Sequence, residues 1–267
     1  VQKDKPSLFE AERDSLPPFR QRILLLVGSY DEVEFVVDSL HAIRPEWKGE
    51  ILGLVSDDDE VADGPTERNV LRRGLVHQFA NTGAWLLVAP LLAVERGHNI
   101  MNEHAQAAIG SAYFLIRPHP RPDDLNYAIQ SINRWAVDQF GVANTAKKPA
   151  IKNQAEQSLL DAARNFRREA FIRWRYLLRL PMIYSTLPNS ERVAVTWSQL
   201  VTTWQVIGRL VRGGSPARVF FCDAAFAPAV ASLQHSESQP ERGLLANMRG
   251  ILTPYFDNSS PNIAEQD

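Results

Sequence analysis

Short apolar runs alternate along the chain with amphipathic or polar stretches, as expected for strands that alternate with helices. Five short, mostly apolar runs predict buried strands, at residues 23–27, 51–55, 85–89, 112–116 and 219–222. An amphipathic segment after Gly28-Ser29 predicts a first helix that ends before Pro45, and residues 66–80 predict another. This alternation predicts an α/β fold: a doubly wound parallel sheet with helices on both faces, in which regular structure begins at Ile23.

The alternation stops after the fourth predicted strand. Pro118, Pro120 and Pro122 interrupt regular structure, and the following residues, 123–190, predict an all-helical insertion. The sequence therefore divides into a lead-in or linker at 1–20, a sheet domain formed by 21–122 and 191–256, the insertion, and a flexible tail at 257–267.

The helix before the last strand carries one polar edge. Gln205, Arg209 and Arg212 stand at relative positions 0, 4 and 7, so on a helix they fall within about 60° of one another. The other sides of this helix are apolar and are predicted to be buried. Their residues are Val193, Trp197, Leu200, Val201, Trp204, Ile207 and Val211. Two guanidinium groups on a mostly buried helix require an anionic partner. The alternative is a pair of surface arginines bound to carboxylates.

A polar loop follows the third predicted strand. Ligands bind at the carboxyl ends of strands in sheets of this kind. Gly97 would let the backbone approach a phosphate closely, and Asn99 would bond a ribose hydroxyl or a neighbouring loop. The alternative is a helix end in which glycine or asparagine adopts a left-handed conformation.

A basic stripe runs along the predicted insertion. Arg164, Arg168, Arg175 and Arg179 fall within about 60° on a helix, whereas the opposite side is apolar, with Phe166, Ala170, Trp174 and Leu177. This stripe predicts contact with nucleic-acid phosphates, and the alternative is a solvated face.

Composition limits the remaining possibilities. The chain has 267 residues, a formal net charge of -2 and one cysteine, Cys222, which is expected in the core. A nucleic-acid surface must then be a local patch, and an internal disulfide is excluded. We expect a cytoplasmic protein with no membrane-spanning segment and no metal site, because the histidines lack metal-ligand spacing.

Three segments resemble one family. ILLLVGSYDEVEFVVDSL, LLVAPLLAVERGHNI and QVIGRLVRGG are similar to motifs IV, V and VI of superfamily-two helicases, the group that includes DEAD/DEAH-box proteins. The third fits the family pattern Q-x-x-G-R-x-x-R and leads into the final strand. The resemblance covers most of residues 20–120 and 193–226, and it implies the carboxyl-terminal RecA-like lobe.

The resemblance implies roles for single residues. Arg209 and Arg212 match the motif VI arginines that reach ATP phosphates, one of them as an arginine finger. Ser29 matches a region that touches the nucleic-acid backbone. The nucleotide-contacting positions correspond to Gln205, Gly208, Gly97 and Asn99, the last of which is commonly aspartate in DEAD-box relatives.

The motifs of the first helicase lobe are missing. A helicase also needs a phosphate-binding G-x-x-x-x-G-K-[ST] loop and an acidic metal-binding motif, and this chain has neither. We therefore expect ATP and Mg²⁺ to be held mainly by an N-terminal P-loop lobe of the same, longer protein. The chain alone is predicted not to hydrolyse ATP.

The leading hypothesis is the C-terminal motor lobe of an ATP-dependent helicase or translocase that acts on DNA or RNA. The alternative is a non-catalytic nucleic-acid-binding or scaffold module derived from such a lobe, and a third hypothesis is a nucleotide-binding transferase. The insertion between motifs V and VI is similar to that of helicases of prokaryotic defence islands, which adds defence-system components to the possible partners.

Overall fold

A six-stranded sheet forms the centre of the fold. The computed structural model describes residues 6–58, 69–95, 99–118, 125–140, 158–177, 187, 189–227 and 243–257. The strands are β1 (Arg22–Val27), β2 (Ile51–Val55), β3 (Val70–Arg72), β4 (Leu86–Pro90), β5 (Ile109–Phe114) and β6 (Arg218–Phe221). All neighbouring strands are parallel, and their order is β3-β2-β4-β1-β5-β6. The predicted α/β fold with a parallel sheet is confirmed, and it is consistent with a RecA-like doubly wound fold.

Helices connect these strands. The α-helices are α1 (Leu8–Asp14), α2 (Tyr30–Ile43), α3 (Leu91–Glu95), α4 (Leu125–Phe140), α5 (Leu159–Leu177), α6 (Asn189–Leu210) and α7 (Leu244–Asp257). Short 3-10 helices lie at Pro18–Arg20, Pro45–Trp47, Arg73–Asn81 and Ala224–Phe226. Among the helices described, none is both long and apolar enough to cross a membrane.

Both faces of the sheet are covered. Successive side chains of a strand point to opposite faces, so β1 contributes to two cores. Ile23 and Leu25 belong to a buried cluster with Val33 of α2, whereas Leu24 shares a cavity wall with Val94 of α3 and with α6. The central strands are almost fully buried because helices pack on each side of them.

Two predictions about the elements are wrong. The segment predicted as a helix over 66–80 contains β3, which pairs with β2 through Gly53 and Val70, and a 3-10 helix follows it. Among the described residues, regular structure begins at Leu8, before the predicted start at Ile23. A capping box starts α1 there, in which the Ser7 hydroxyl accepts from the Glu10 amide and the Glu10 carboxylate accepts from the Ser7 amide.

The chain divides into two compact units. The first contains residues 1–118 and 199–267, and the second contains residues 119–198. In the second unit the structure describes α4, α5 and the beginning of α6. The predicted insertion, 123–190, has limits close to those of this unit. Its all-helical character stays a prediction, as does the flexible tail, because several of its segments and residues 258–267 lie outside the described residues.

Candidate functional site

The predicted nucleotide-contacting residues lie at the end of α6. The buried face of this helix contains polar as well as apolar residues. Gln199, Thr203, Val206 and Leu210 are buried and recur every three or four residues. The Thr203 hydroxyl donates to the Gln199 carbonyl at 2.8 Å, so this buried hydroxyl is satisfied within the helix.

Several apolar residues of α6 are exposed, although the sequence predicted their burial. Val201 is 49% and Trp204 is 48% exposed, and Trp197 and Val211 are also exposed. Trp204 borders a groove of about 480 Å³ between α6 and α7. Apolar residues occur on every side of this helix, so periodicity could not identify the buried side.

The polar edge of α6 meets the segment that follows β4. Gln205 and Arg212 are exposed, and Arg209 is half-buried. Arg209 borders a cavity of about 20 Å³ together with Val94 of α3 and Ile100, the residue after Asn99. The structure thus brings Arg209 close to the end of the predicted motif V. Asn99 itself is exposed, and Gly97 lies outside the described residues.

The chain turns sharply after α6. The helix ends at Leu210, so Arg212 lies in the following turn, although the spacing predicted that it would continue the helix. Gly213 and Gly214 both have positive φ, at 77° and 73°. A Cβ added to Gly213 would lie 2.8 Å from the Ala105 carbonyl oxygen, so glycine is required there by conformation and by contact.

Gly208 differs from these turn glycines. It lies inside α6, and a Cβ added to it would meet no described residue within 4 Å beyond the backbone of its own helix. Neither the packing nor the backbone of the described structure requires glycine at this position, where alanine would favour the helix by about 1 kcal/mol.

Arg20 fixes the end of α6 to the sheet. Its side chain is buried, at 3% exposure, and its guanidinium donates to the carbonyls of Leu210 at 2.7 Å, Ile109 at 2.9 Å and Ala107 at 2.9 Å, and to that of Pro216. Burial lowers the pKa of this guanidinium, which nonetheless stays charged as arginines do. The negative end of the helix dipole stabilises a cation at this position.

Sequence reasoning missed Arg20 because nothing in the pattern distinguishes it from other arginines near a first strand. It also missed Asn102. The Asn102 side-chain oxygen accepts from the amides of His104 and Gln106, both at 3.0 Å. This bonding shapes the loop against which Gly213 packs. Asparagine commonly forms such turns, so the residue type was the available signal.

Ser29 lies at the opposite edge of the sheet. Leu210 lies near the start of β5, at the amino edge, whereas Ser29 follows the end of β1. At about 3.3 Å per residue, β1 separates the two edges by about 20 Å. The Ser29 hydroxyl accepts from the Glu32 amide at 3.2 Å and caps α2. The structure therefore keeps Ser29 apart from Arg209 and Arg212.

The basic stripe lies on α5 in the second unit. The Arg164 and Arg168 side chains are each 69% exposed, with Asp161 at 3.7 Å from the first and Glu169 at 3.5 Å from the second. Arg175 is exposed as well, and Arg179 lies outside the described residues. Such exposed ion pairs contribute little to stability, so these arginines remain available to an anionic partner.

Comparisons with protein-family models, with curated proteins and with solved structures find no match to this chain. Within the part of the chain that the structure describes, no group of three or more His, Cys, Asp or Glu side chains is arranged to hold a metal ion.

Cys222, expected in the core, is exposed, because it lies just past the end of β6. The partial burial that remains raises the pKa of its thiol.

Proposed function

We propose that this chain is the C-terminal motor lobe of an ATP-dependent nucleic-acid helicase or translocase. In this proposal Arg209 and Arg212 contact the phosphates of an ATP molecule that is held mainly on a separate P-loop lobe. The observation that carries the proposal is the Q-x-x-G-R-x-x-R spacing at an anchored helix end, with Gln205 and Arg212 exposed.

The anchoring supports a role in phosphate recognition. An arginine finger is effective only when its guanidinium is held in a fixed position relative to the reacting phosphate. Arg20 bonds the last carbonyl of α6, and Gly213 packs against Ala105, so the segment that carries Arg209 and Arg212 is held from both sides. Arg209 is half-buried beside a small cavity lined mainly by apolar residues, so its charge is screened less than that of a fully exposed arginine.

Gly208 supports an external partner for the same helix. Glycine inside a helix costs stability, and nothing in the described structure offsets that cost at Gly208. The missing side chain leaves room beside Arg209 and Arg212. A nucleotide or an opposing lobe that approaches the helix closely would explain why glycine is used there.

The available donors fit ATP phosphates better than Mg²⁺. Guanidinium groups bind phosphate oxygens in a planar, bidentate manner, whereas Mg²⁺ requires oxygen ligands. We therefore assign the phosphate contacts to Arg209 and Arg212 and the Mg²⁺ ligands to the P-loop lobe. When bound, Mg²⁺ neutralises the charge that develops on the phosphates.

We assign the nucleic-acid partner, DNA or RNA, to the carboxyl edge around Ser29 and to the arginines of α5. The protein is expected to act in the cytoplasm. Separation of the ATP-contacting edge from the Ser29 edge by the length of β1 would let one lobe contact both ligands at once.

Single-turnover ATP hydrolysis by the full-length protein tests the proposal. We expect Arg212→Ala to lower the rate by about 10³-fold or more, which is typical of the loss of an arginine finger. Arg249→Ala is the matched control, because Arg249 is an exposed helical arginine that borders the groove beside α7 instead. The 267-residue chain alone is expected to show no turnover.

A near-normal rate for Arg212→Ala would refute the finger assignment. If the full-length protein hydrolyses no ATP at all but still binds nucleic acid, the scaffold alternative replaces the motor lobe. Robust hydrolysis by the 267-residue chain would contradict the assignment of the P-loop to another lobe.

A further inference from the structure

The exposed face of α5 carries aromatic as well as basic side chains. Phe171 is 60% exposed, Ile172 is 54% exposed and Tyr176 is 41% exposed. Large apolar side chains seldom remain open to water in such a group without a binding role. The face is thus more than a solvated row of charges.

The other side of α5 is committed to packing within the second unit. The Phe166 ring lies 5.8 Å from that of Trp135 on α4, between centroids. Arg173 donates to the Glu191 carboxylate at 2.8 Å, and this carboxylate is buried at 3% exposure. The two sides of α5 therefore differ, since one contacts α4 and the start of α6, with Phe166 still 36% exposed, and the other faces outward.

Phe171 lies at the border of the basic stripe. At 100° per residue, Phe171 is about 20° from Arg164 and about 40° from Arg175, and both arginines lie on the same side of it. The Arg175 guanidinium lies 5.9 Å from the centroid of the Phe171 ring. A phosphate bound by Arg175 would accordingly bring its own base within reach of that ring.

We propose that this face binds single-stranded nucleic acid, with the arginines on phosphates and Phe171 stacked on a base. This inference rests on the proposed function and narrows its substrate. Bases in a duplex are stacked on one another and offer no face to an aromatic ring, whereas grooves for single strands combine arginines with aromatic platforms.

Charge complementarity favours a nucleic acid over a protein for this face. Apart from Arg173, which pairs with Glu191 on the other side, residues 158–176 contain four arginines and two carboxylates, Asp161 and Glu169, so this part of α5 has a charge of +2. The exposed apolar side chains lie on both sides of the arginines, Phe171 on one side and Ile172 and Tyr176 on the other, and do not form the single stripe that a helix docking into a protein groove would require.

Fluorescence anisotropy of labelled 20-nucleotide probes, single-stranded and duplex, tests the inference with the 267-residue chain. We expect tighter binding of the single strand. Phe171→Ala should lower the affinity for the single strand about tenfold, and leave duplex binding and the salt dependence of binding unchanged. Arg168→Gln should lower the affinity for both probes, and reduce the slope of log affinity against log salt concentration by about one.

Phe35→Ala is the matched control for the aromatic change. Phe35 is 72% exposed on α2, where its sequence neighbours Asp31, Glu32, Glu34 and Asp38 are acidic. It should leave the binding of both probes unchanged. Far-ultraviolet circular dichroism of each variant verifies the fold, which exposed substitutions are expected to preserve.

Failure of the inference can be distinguished from failure of the proposed function. Equal affinity for the single strand and the duplex, or equal effects of Phe171→Ala and Phe35→Ala, would overturn the single-strand assignment and leave a nucleic-acid-binding lobe. Conversion of a dimer to a monomer by Phe171→Ala in sedimentation would overturn it too, because the face would then be a self-association surface. If neither probe binds at 50 mM salt, the nucleic-acid part of the proposed function fails as well.

Discussion

The two edges of the sheet satisfy backbone groups at the strand ends with opposite chemistry. At the amino edge, Arg20 and Arg22 donate to carbonyls, and Arg22 bonds those of Ala80 at 2.6 Å and Thr82 at 2.9 Å, and that of Ala84. At the carboxyl edge, carboxylates accept from amides: Glu32 from Gly28 and Asp57 from Gly74, each at 2.7 Å.

The difference lies in access to water. The Arg20 bonds are buried, so water cannot replace them, and burial lowers the pKa of both arginines. The bonds of Glu32 and Asp57 are exposed, and water competes with them. The edge that carries Arg209 and Arg212 is therefore the stiffer one. Under the proposed function, this edge would hold the arginines in place for phosphate chemistry, and the Ser29 edge would adapt to a polymer.

The largest effect is expected at Arg20. Arg20→Met leaves four buried or partly buried carbonyls without their donor and should lower the free energy of unfolding by about 3 kcal/mol or more, measured by urea denaturation of the chain. Arg20→Lys keeps the charge but lacks the fork of donors, so it should recover only part of the loss.

Arg22→Lys is the control for Arg20→Lys. Arg22 is half-buried and bonds the chain before β4, away from α6. Amide hydrogen exchange at residues 211–215 should accelerate in Arg20→Lys and remain unchanged in Arg22→Lys. Equal acceleration in both variants would show that either change loosens the whole amino edge, and that the Arg20 hydrogen bond does not specifically stabilise the end of α6.

Gly213 and Gly214 both have positive φ, but only Gly213 has close neighbours, so substituting each one distinguishes the cost of contact from the cost of backbone conformation. Gly213→Ala adds a Cβ 2.8 Å from the Ala105 carbonyl oxygen at a positive φ, whereas Gly214→Ala has the same kind of φ and nothing within 4 Å. We expect losses of about 2–3 kcal/mol and about 1 kcal/mol, respectively, in thermal or urea unfolding. Similar losses would mean that the loop at Ala105 moves to accommodate the added Cβ. The amino edge would then be more flexible than its hydrogen bonds indicate.

Gly208→Ala should stabilise the chain and impair the proposed activity. The added methyl group meets no described residue within 4 Å beyond its own helix, so helix propensity raises the free energy of unfolding by about 0.5–1 kcal/mol. Under the proposed function, ATP hydrolysis by the full-length protein falls because the approach to Arg209 and Arg212 is narrowed. Unchanged hydrolysis would remove the argument that Gly208 makes for an external partner.

The sheet could be predicted from the sequence because its strands are nearly continuous apolar runs, as at residues 23–27 and 85–89. β3 was missed, since three residues whose neighbours are polar give no periodicity. The first helix was missed for a different reason. The signal at Ser7 and Glu10 was present as a capping box, but the surrounding prolines and charges resembled a linker.

The candidate site could be predicted only in part. The spacing of Gln205, Arg209 and Arg212 identifies an edge of α6, but not which side of the helix is buried, because Trp204 and Val201 are exposed while Gln199 and Thr203 are buried. Arg20 and Asn102 act by bonding backbone groups distant in sequence or within a loop. Such bonds depend on tertiary structure and leave no periodic pattern.

A smaller effect is expected at the carboxyl edge. Asp57→Asn weakens the bond to the Gly74 amide, and Glu32→Gln weakens that to the Gly28 amide. Because both bonds are exposed, we expect each change to lower the free energy of unfolding by about 0.5 kcal/mol in urea denaturation. A loss as large as that of Arg20→Met would contradict the contrast between the two edges.

The smallest effect is expected at Glu10. This residue lies at the amino edge but is only partly buried, so it distinguishes the effect of burial from that of position. Its carboxylate accepts from Trp47 at 3.2 Å near the start of β2, at the amino edge, yet it is only partly buried. The backbone hydrogen bond from Ser7 chiefly lowers the pKa of this carboxyl, against the opposing effect of burial. The stabilisation is thus complete above the ordinary pKa of glutamate, about 4.3, and is lost as the pH falls through the lowered value. The free energies of unfolding of the wild type and Glu10→Gln, from urea denaturation, should differ by less than about 0.5 kcal/mol at pH 7 and converge at acid pH. A difference that matches the Arg20 variants, or one that grows at acid pH, would show that position at the amino edge matters more than burial.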